Sequence, residues 1–105
     1  MEVLLRWSTE RYLDADYTVF VHLVAADDPA RIVAQDDAPP LGGRWPTSLW
    51  LPGRTVDDVH VVSLPADLAP GRYALRVGLY DPATGERLRL ADGRDALLLA
   101  EIERP

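Results

Sequence analysis

The sequence predicts an all-β fold, an antiparallel β-sandwich of immunoglobulin-like or jelly-roll type, and three observations carry that expectation. Short apolar runs alternate with a period of two, as half-buried strands do. Turn-forming residues interrupt them roughly every 8 to 12 positions, the spacing of strands joined by tight connections. No segment shows a convincing helical period. With 105 residues the chain is expected to be a single domain, 1–105, large enough to bury one core.

Val3, Leu5 and Trp7 alternate with Glu2, Leu4 and Arg6, so the chain opens on a strand with one face turned inward. Tyr17 to Val24 is apolar on both faces and rich in β-branched and aromatic residues, which marks a central strand. Ala25 to Ala30 has turn chemistry, and Arg31 to Gln35 is expected to return as its hairpin partner. Asp36 to Thr47 carries three prolines and two glycines, and it reads as a long connection of the functional or sheet-crossing kind. The following stretch, with Trp45, Pro46, Trp50, Pro52 and Gly53, is rigid enough for a structural corner or a binding rim.

Val56 to Leu64 resumes the strand pattern until Pro65, which cannot donate to a ladder. Leu68 to Tyr73 matches a tyrosine corner, in which the phenol reaches back to the backbone before a strand. Beyond it Tyr73, Leu75, Val77 and Leu79 share one face. Asp81 to Gly85 fits a short hairpin loop, with Pro82 at the first corner and Gly85 in the left-handed position. Glu86 to Leu90 is read as the returning strand with Leu88 and Leu90 inward, Asp92 to Asp95 as a turn, and Leu97 to Ile102 as the last strand. The total is seven to eight strands.

The net charge is -6 and every cation is an arginine, a balance that argues against a nucleic-acid partner or an anionic membrane surface. Without cysteine there is no disulfide framework, thiol nucleophile or zinc-thiolate site. No apolar run is long enough to cross a bilayer and Met1-Glu2-Val3 lacks a signal-peptide start, so the chain as it stands is expected to be soluble.

His22 and His60 both fall in strand patterns and read first as core histidines bonded to a neighbour. A triad can be drawn from Ser48, His22 and Asp57, but no nucleophile-elbow glycines surround any serine. The pairs Asp27–Asp28, Asp36–Asp37 and Asp57–Asp58 read as loop solvation or backbone capping, because adjacent strand residues point to opposite faces and cannot form a carboxylate couple across a cleft. Their spacing is not that of a calcium loop. No catalytic residue, metal site or cofactor is assigned. The tryptophans offer more: Trp45 and Trp50 beside Asp36, Asp37 and Arg54 would suit a carbohydrate, the rings stacking on sugar C–H faces while the polar groups bond hydroxyls. The plainer alternative has Trp50 plugging the bottom of the fold and Trp45 covering its edge.

His22-Leu23 after an aromatic strand, Gln35-Asp36, Pro39, Gly42-Gly43, Pro46-Thr47, Trp50, Pro52-Gly53, Asp57, Pro70 to Tyr73, Gly78 to Asp81 and Gly85 to Leu88 together resemble a known family. It is the C-terminal β-sandwich domain of bacterial family-39-type, protein-mannosyltransferase-like membrane glycosyltransferases. The likeness spans nearly the whole chain and rests on the order of motifs that are individually turn residues. Arg54 departs from the acidic residue often found after Trp-x-Pro-Gly, so no acidic ligand role is carried over there.

The resemblance implies a piece of a longer membrane protein whose catalytic part lies outside this chain. It implies placement on the extracytoplasmic face of the cell membrane, and a non-catalytic accessory role contacting glycan or packing against the membrane-embedded portion of the same polypeptide. The alternative is a structural or protein-interaction module with no small-molecule ligand, which expects an exposed apolar patch or an open edge strand. An independent hydrolase would require His22 or His60 within bonding reach of a serine or carboxylate in a concave pocket.

Overall fold

The period of two at the start of the chain builds β1 (Glu2–Ser8), with Val3 and Leu5 buried and Glu2, Leu4 and Arg6 in solvent. A computed structural model describes residues 1–105. Five further strands follow: β2 (Thr18–Ala25), β3 (Asp28–Ala38), β4 (Thr55–Val61), β5 (Gly71–Tyr80) and β6 (Leu97–Arg104). The fold is all-β, with two antiparallel sheets: β1 pairs β4, and the other four strands run in the order β3-β2-β5-β6. The only helical pieces are short 3₁₀ turns at Pro40–Gly43 and Thr47–Leu49, and no helix is long and apolar enough to cross a membrane.

β2 is central, as its two-sided apolar pattern requires. Val19, Val21 and Leu23 face Leu75, Val77 and Leu79 of β5 across the ladder, and Val3, Leu5 and Val62 close the same core from the other side. Each such side chain removed from water contributes roughly 1.5–3 kcal/mol. Phe20 and Val24, on the opposite face of β2, are buried as well. The Phe20 ring lies over Gly78, under the Arg87 guanidinium 4.4 Å from its centroid. Tyr73 is buried and its phenol donates to the Ala69 carbonyl, so the corner before β5 forms as expected. The Asp81–Gly85 turn also forms, with the Gly85 amide donating to the Asp81 carbonyl at 2.7 Å and Gly85 at φ 76°.

Two expectations are corrected. β3 runs on to Ala38, so Asp36 and Asp37 lie on a strand and not in the long connection. Pairing with β2 holds them there, Val21 opposite Asp36 and Phe20 opposite Asp37, and outweighs the poor strand preference of aspartate. Glu86 to Leu90 forms no strand, which leaves six strands in place of the seven to eight expected. Both flanks of β5 are already taken, by β2 and by β6 from Val77 downward, so the return leg makes a single bridge from Arg87 to Tyr80 and then departs. Leu88 still packs against the core.

The narrow β1–β4 sheet leaves β6 largely uncovered, and only Ile102 of that strand packs on the core. The connection from β3 to β4 is pinned by Thr47, whose hydroxyl donates to the Ala15 carbonyl at 2.7 Å and accepts the Tyr17 amide at 2.9 Å.

The contact at Gly78 can be tested directly, because a Cβ there would come within 2.5 Å of two Phe20 ring carbons and 3.0 Å of the Asp95 carbonyl oxygen. Gly78→Ala is expected to lower stability by roughly 1–3 kcal/mol in urea unfolding; an unchanged midpoint would show that the ring has room to move.

Candidate functional site

Alternation along β4 turns Val56, Asp58 and His60 to the interior, with Val62 buried just past its end, so two ionisable residues two positions apart share the core-facing side of the narrow sheet. His60 is 3% exposed and Asp58 1%. The His60 Nε2 lies 2.6 Å from Asp58 Oδ2, and its Nδ1 lies 2.7 Å from Asp36 Oδ2 on β3 of the other sheet. A neutral imidazole has one N–H, whereas here both nitrogens face carboxylates that only accept. The ring is therefore an imidazolium bridging the two sheets.

Asp58 Oδ1 accepts the Leu41 amide at 2.9 Å, and Leu41 stands at φ 53°, a left-handed conformation that costs a non-glycine residue on the order of 1–3 kcal/mol. Burial disfavours the charged forms of both His60 and Asp58. At His60 it is outweighed by the hydrogen bonds to Asp58 and Asp36 and by their charges, so its pKa is held above the ordinary histidine value. At Asp58 it is outweighed by the bonds from His60 and Leu41, with a smaller contribution from Trp7, and the carboxyl is held below its ordinary value. The Trp7 indole N–H is buried beside this group without a formed hydrogen bond.

His22 occupies the opposite face of the wide sheet. Its Nε2 lies 3.2 Å from Asp37 Oδ1, the Tyr80 hydroxyl donates to Asp37 Oδ2 at 3.1 Å, and its ring rests 4.7 Å from that of Phe20. Burial pulls the His22 pKa below its ordinary value, Asp37 opposes this and Arg87 adds to it. Neighbouring aspartates thus serve opposite faces. Asp36 points in and Asp37 out, while Asp58 points in and Asp57 pairs with Arg6 outside at 2.7 Å. The reading of these pairs as loop solvation or backbone capping is corrected for Asp36, Asp37 and Asp57; Asp58 caps the Leu41 amide but also binds His60, and Asp28 accepts the Ala30 amide as read.

The triad drawn from Ser48, His22 and Asp57 is not assembled: the Ser48 amide bonds Asp16, His22 bonds Asp37 and Asp57 bonds Arg6. Both histidines do lie within bonding reach of carboxylates, but neither lines any of the four main clefts. In the Asp36–His60–Asp58 group the acids flank the ring instead of converging on a common point, and no set of three side chains is arranged to hold a metal ion.

The five carbohydrate candidates separate. Trp45, 44% exposed, and Arg54 line one open cleft of about 340 Å³ together with Leu41, Leu51, Thr55, Val56 and Asp57. Trp50 is 3% exposed in the core, and its indole N–H donates to the Trp45 carbonyl at 3.0 Å. Asp36 is committed to His60, and Asp37 faces away from the cleft on the outer side of the wide sheet. Asp57 supplies the acid of the cleft, a residue that the outward phase of the Val56–Leu64 strand could have indicated. No family model, curated protein or solved structure matches the chain.

The bridge makes stability depend on pH in a defined direction. A histidine with a raised folded-state pKa contributes fully below its unfolded value of 6.5 and loses that contribution as pH rises through the folded value. A depressed aspartate contributes fully above its unfolded value and loses it as pH falls through the folded one. His22, with its lowered pKa, runs opposite to His60. His60→Gln is therefore expected to cost about 3–5 kcal/mol near pH 5.5, with the deficit shrinking as pH rises through the raised folded-state pKa. Urea unfolding across pH measures this, and a deficit that stays constant would show that the folded imidazole is uncharged.

Proposed function

We propose that the chain is a non-catalytic accessory β-sandwich domain of a cell-envelope membrane glycosyltransferase, on the extracytoplasmic side, and that it contacts carbohydrate through the Trp45 cleft. The observation that carries the contact is the pairing of an exposed indole with Arg54 and Asp57 around one open cleft. The ring supplies a flat apolar face for a sugar, and Arg54, which has no carboxylate within salt-bridge distance, supplies free donors for hydroxyls. The immunoglobulin-like type is favoured over the jelly roll by the tyrosine corner ahead of β5. The placement in a glycosyltransferase rests on the ordered motifs of the sequence.

A second reading, a protein-interaction module without a small-molecule ligand, is favoured by the outer face of the narrow sheet. Leu4, Val59 and Val61 are exposed there side by side, and the β6 edge adds Leu97, Leu98 and Leu99. The two readings are compatible if that face packs against the membrane-embedded portion of the same polypeptide.

Trp45→Ala is expected to weaken glycan binding about tenfold while leaving the thermal midpoint unchanged. Arg54→Ala should act in the same direction. Absence of binding by the unmutated domain across a broad glycan array would remove the carbohydrate reading and leave the second.

A further inference from the structure

Where β1 leaves its sheet and β5 reaches its turn, the end of the molecule holds a separate cleft of about 260 Å³. Its floor includes Leu13, Trp50 and Leu79, all buried side chains of the core. Leu88 forms part of the wall, and the rim carries Arg11 and Arg89 with one acid, Glu10. Arg6, Arg87 and Arg94 each lie within 4.0 Å of a carboxylate, but Arg11 and Arg89 do not. Arg89 donates only to the Gly93 carbonyl, at 3.2 Å. In a chain of net charge -6, two guanidinium groups with no carboxylate partner at the mouth of an apolar cleft form a local reversal of sign.

We propose that this end cleft binds a small anionic amphiphile, a carboxylate or phosphate monoester head held by Arg11 and Arg89, with an apolar body seated on Leu13, Trp50 and Leu79. The guanidinium fork matches the paired oxygens of either head group. Covering the floor removes apolar surface from water, and the cleft, at the small end of ligand sites, takes a body on the order of ten non-hydrogen atoms. An adjoining cleft shares Arg11, Leu88 and Arg89 and adds Tyr17, Arg87, Asp81 and Glu86. The site is independent of the Trp45 cleft.

Octanoate and octyl phosphate serve as probes, with 1-octanol as the uncharged control, followed through the amide and indole resonances of the whole chain and through tryptophan fluorescence. Both anions are expected to shift Trp50, Leu13 and Leu79 saturably. The double variant Arg11→Ala/Arg89→Ala should weaken them about tenfold or more without lowering the thermal midpoint, since both side chains are exposed. Trp45→Ala and Arg54→Ala should bind the probes like the unmutated chain, which separates this site from the glycan reading. Binding of only one head group supports the site and identifies its ligand class. No saturable shift up to about 10 mM, equal affinity for 1-octanol, or undiminished binding by the double variant would overturn the proposal.

Discussion

The imidazolium of His60, held between Asp58 beneath it and Asp36 across the interior, is the interaction on which the rest of the structure depends. The sheet of β1 and β4 has only two strands, drawn from opposite halves of the chain, and a sheet of that width has little stability by itself. It gains a core by lying on the wider sheet, and the charged bridge fixes where it lies. Buried ion pairs add little net stability because desolvation consumes most of their attraction, and their commoner service is to favour one arrangement over others. Here the same carboxylate also takes the Leu41 amide, so one charged group aligns β4, β3 and the connection between them.

Much of the fold was legible in the residues because the strongest strands carry their own pattern. β1 and β2 announce themselves by period and composition, and the Tyr73 corner and the Gly85 turn by local backbone chemistry. What stayed hidden depends on partners. Glu86 to Leu90 alternates well enough for a strand, but a strand needs a free neighbour, and β2 and β6 leave it none beyond one bridge. Asp36 and Asp37 look like loop residues until β2 is laid beside them. The Asp58-x-His60 spacing was visible as two polar residues on one strand face, whereas the third member lies 24 positions earlier and only the sheet order brings it near.

The candidate site shows the same division. Trp45 and Trp50 are equivalent in composition, yet the 3₁₀ turn between them sends one ring outward and the other into the core. Their single hydrogen bond, from the Trp50 indole to the Trp45 carbonyl, ties the backbone of the Trp45 cleft to the floor of the end cleft. Both histidines, the residues most suggestive of chemistry, are spent on holding strands in place. The Trp45 cleft and the end cleft lie elsewhere, and arginine and indole line both.

The opposed aspartates of β3 have a consequence for how the hairpin finds its alignment. Side chains on a strand change sides at every step, so a slip of β3 by one position against β2 would bring Gln35 into the place of Asp36 beside His60 in one direction, and Ala38 into the place of Asp37 beside His22 in the other. Either misstep would cost one of the two histidines its carboxylate. The pair thus works as a key cut on both edges, admitting one pairing of the chain and rejecting its nearest neighbours.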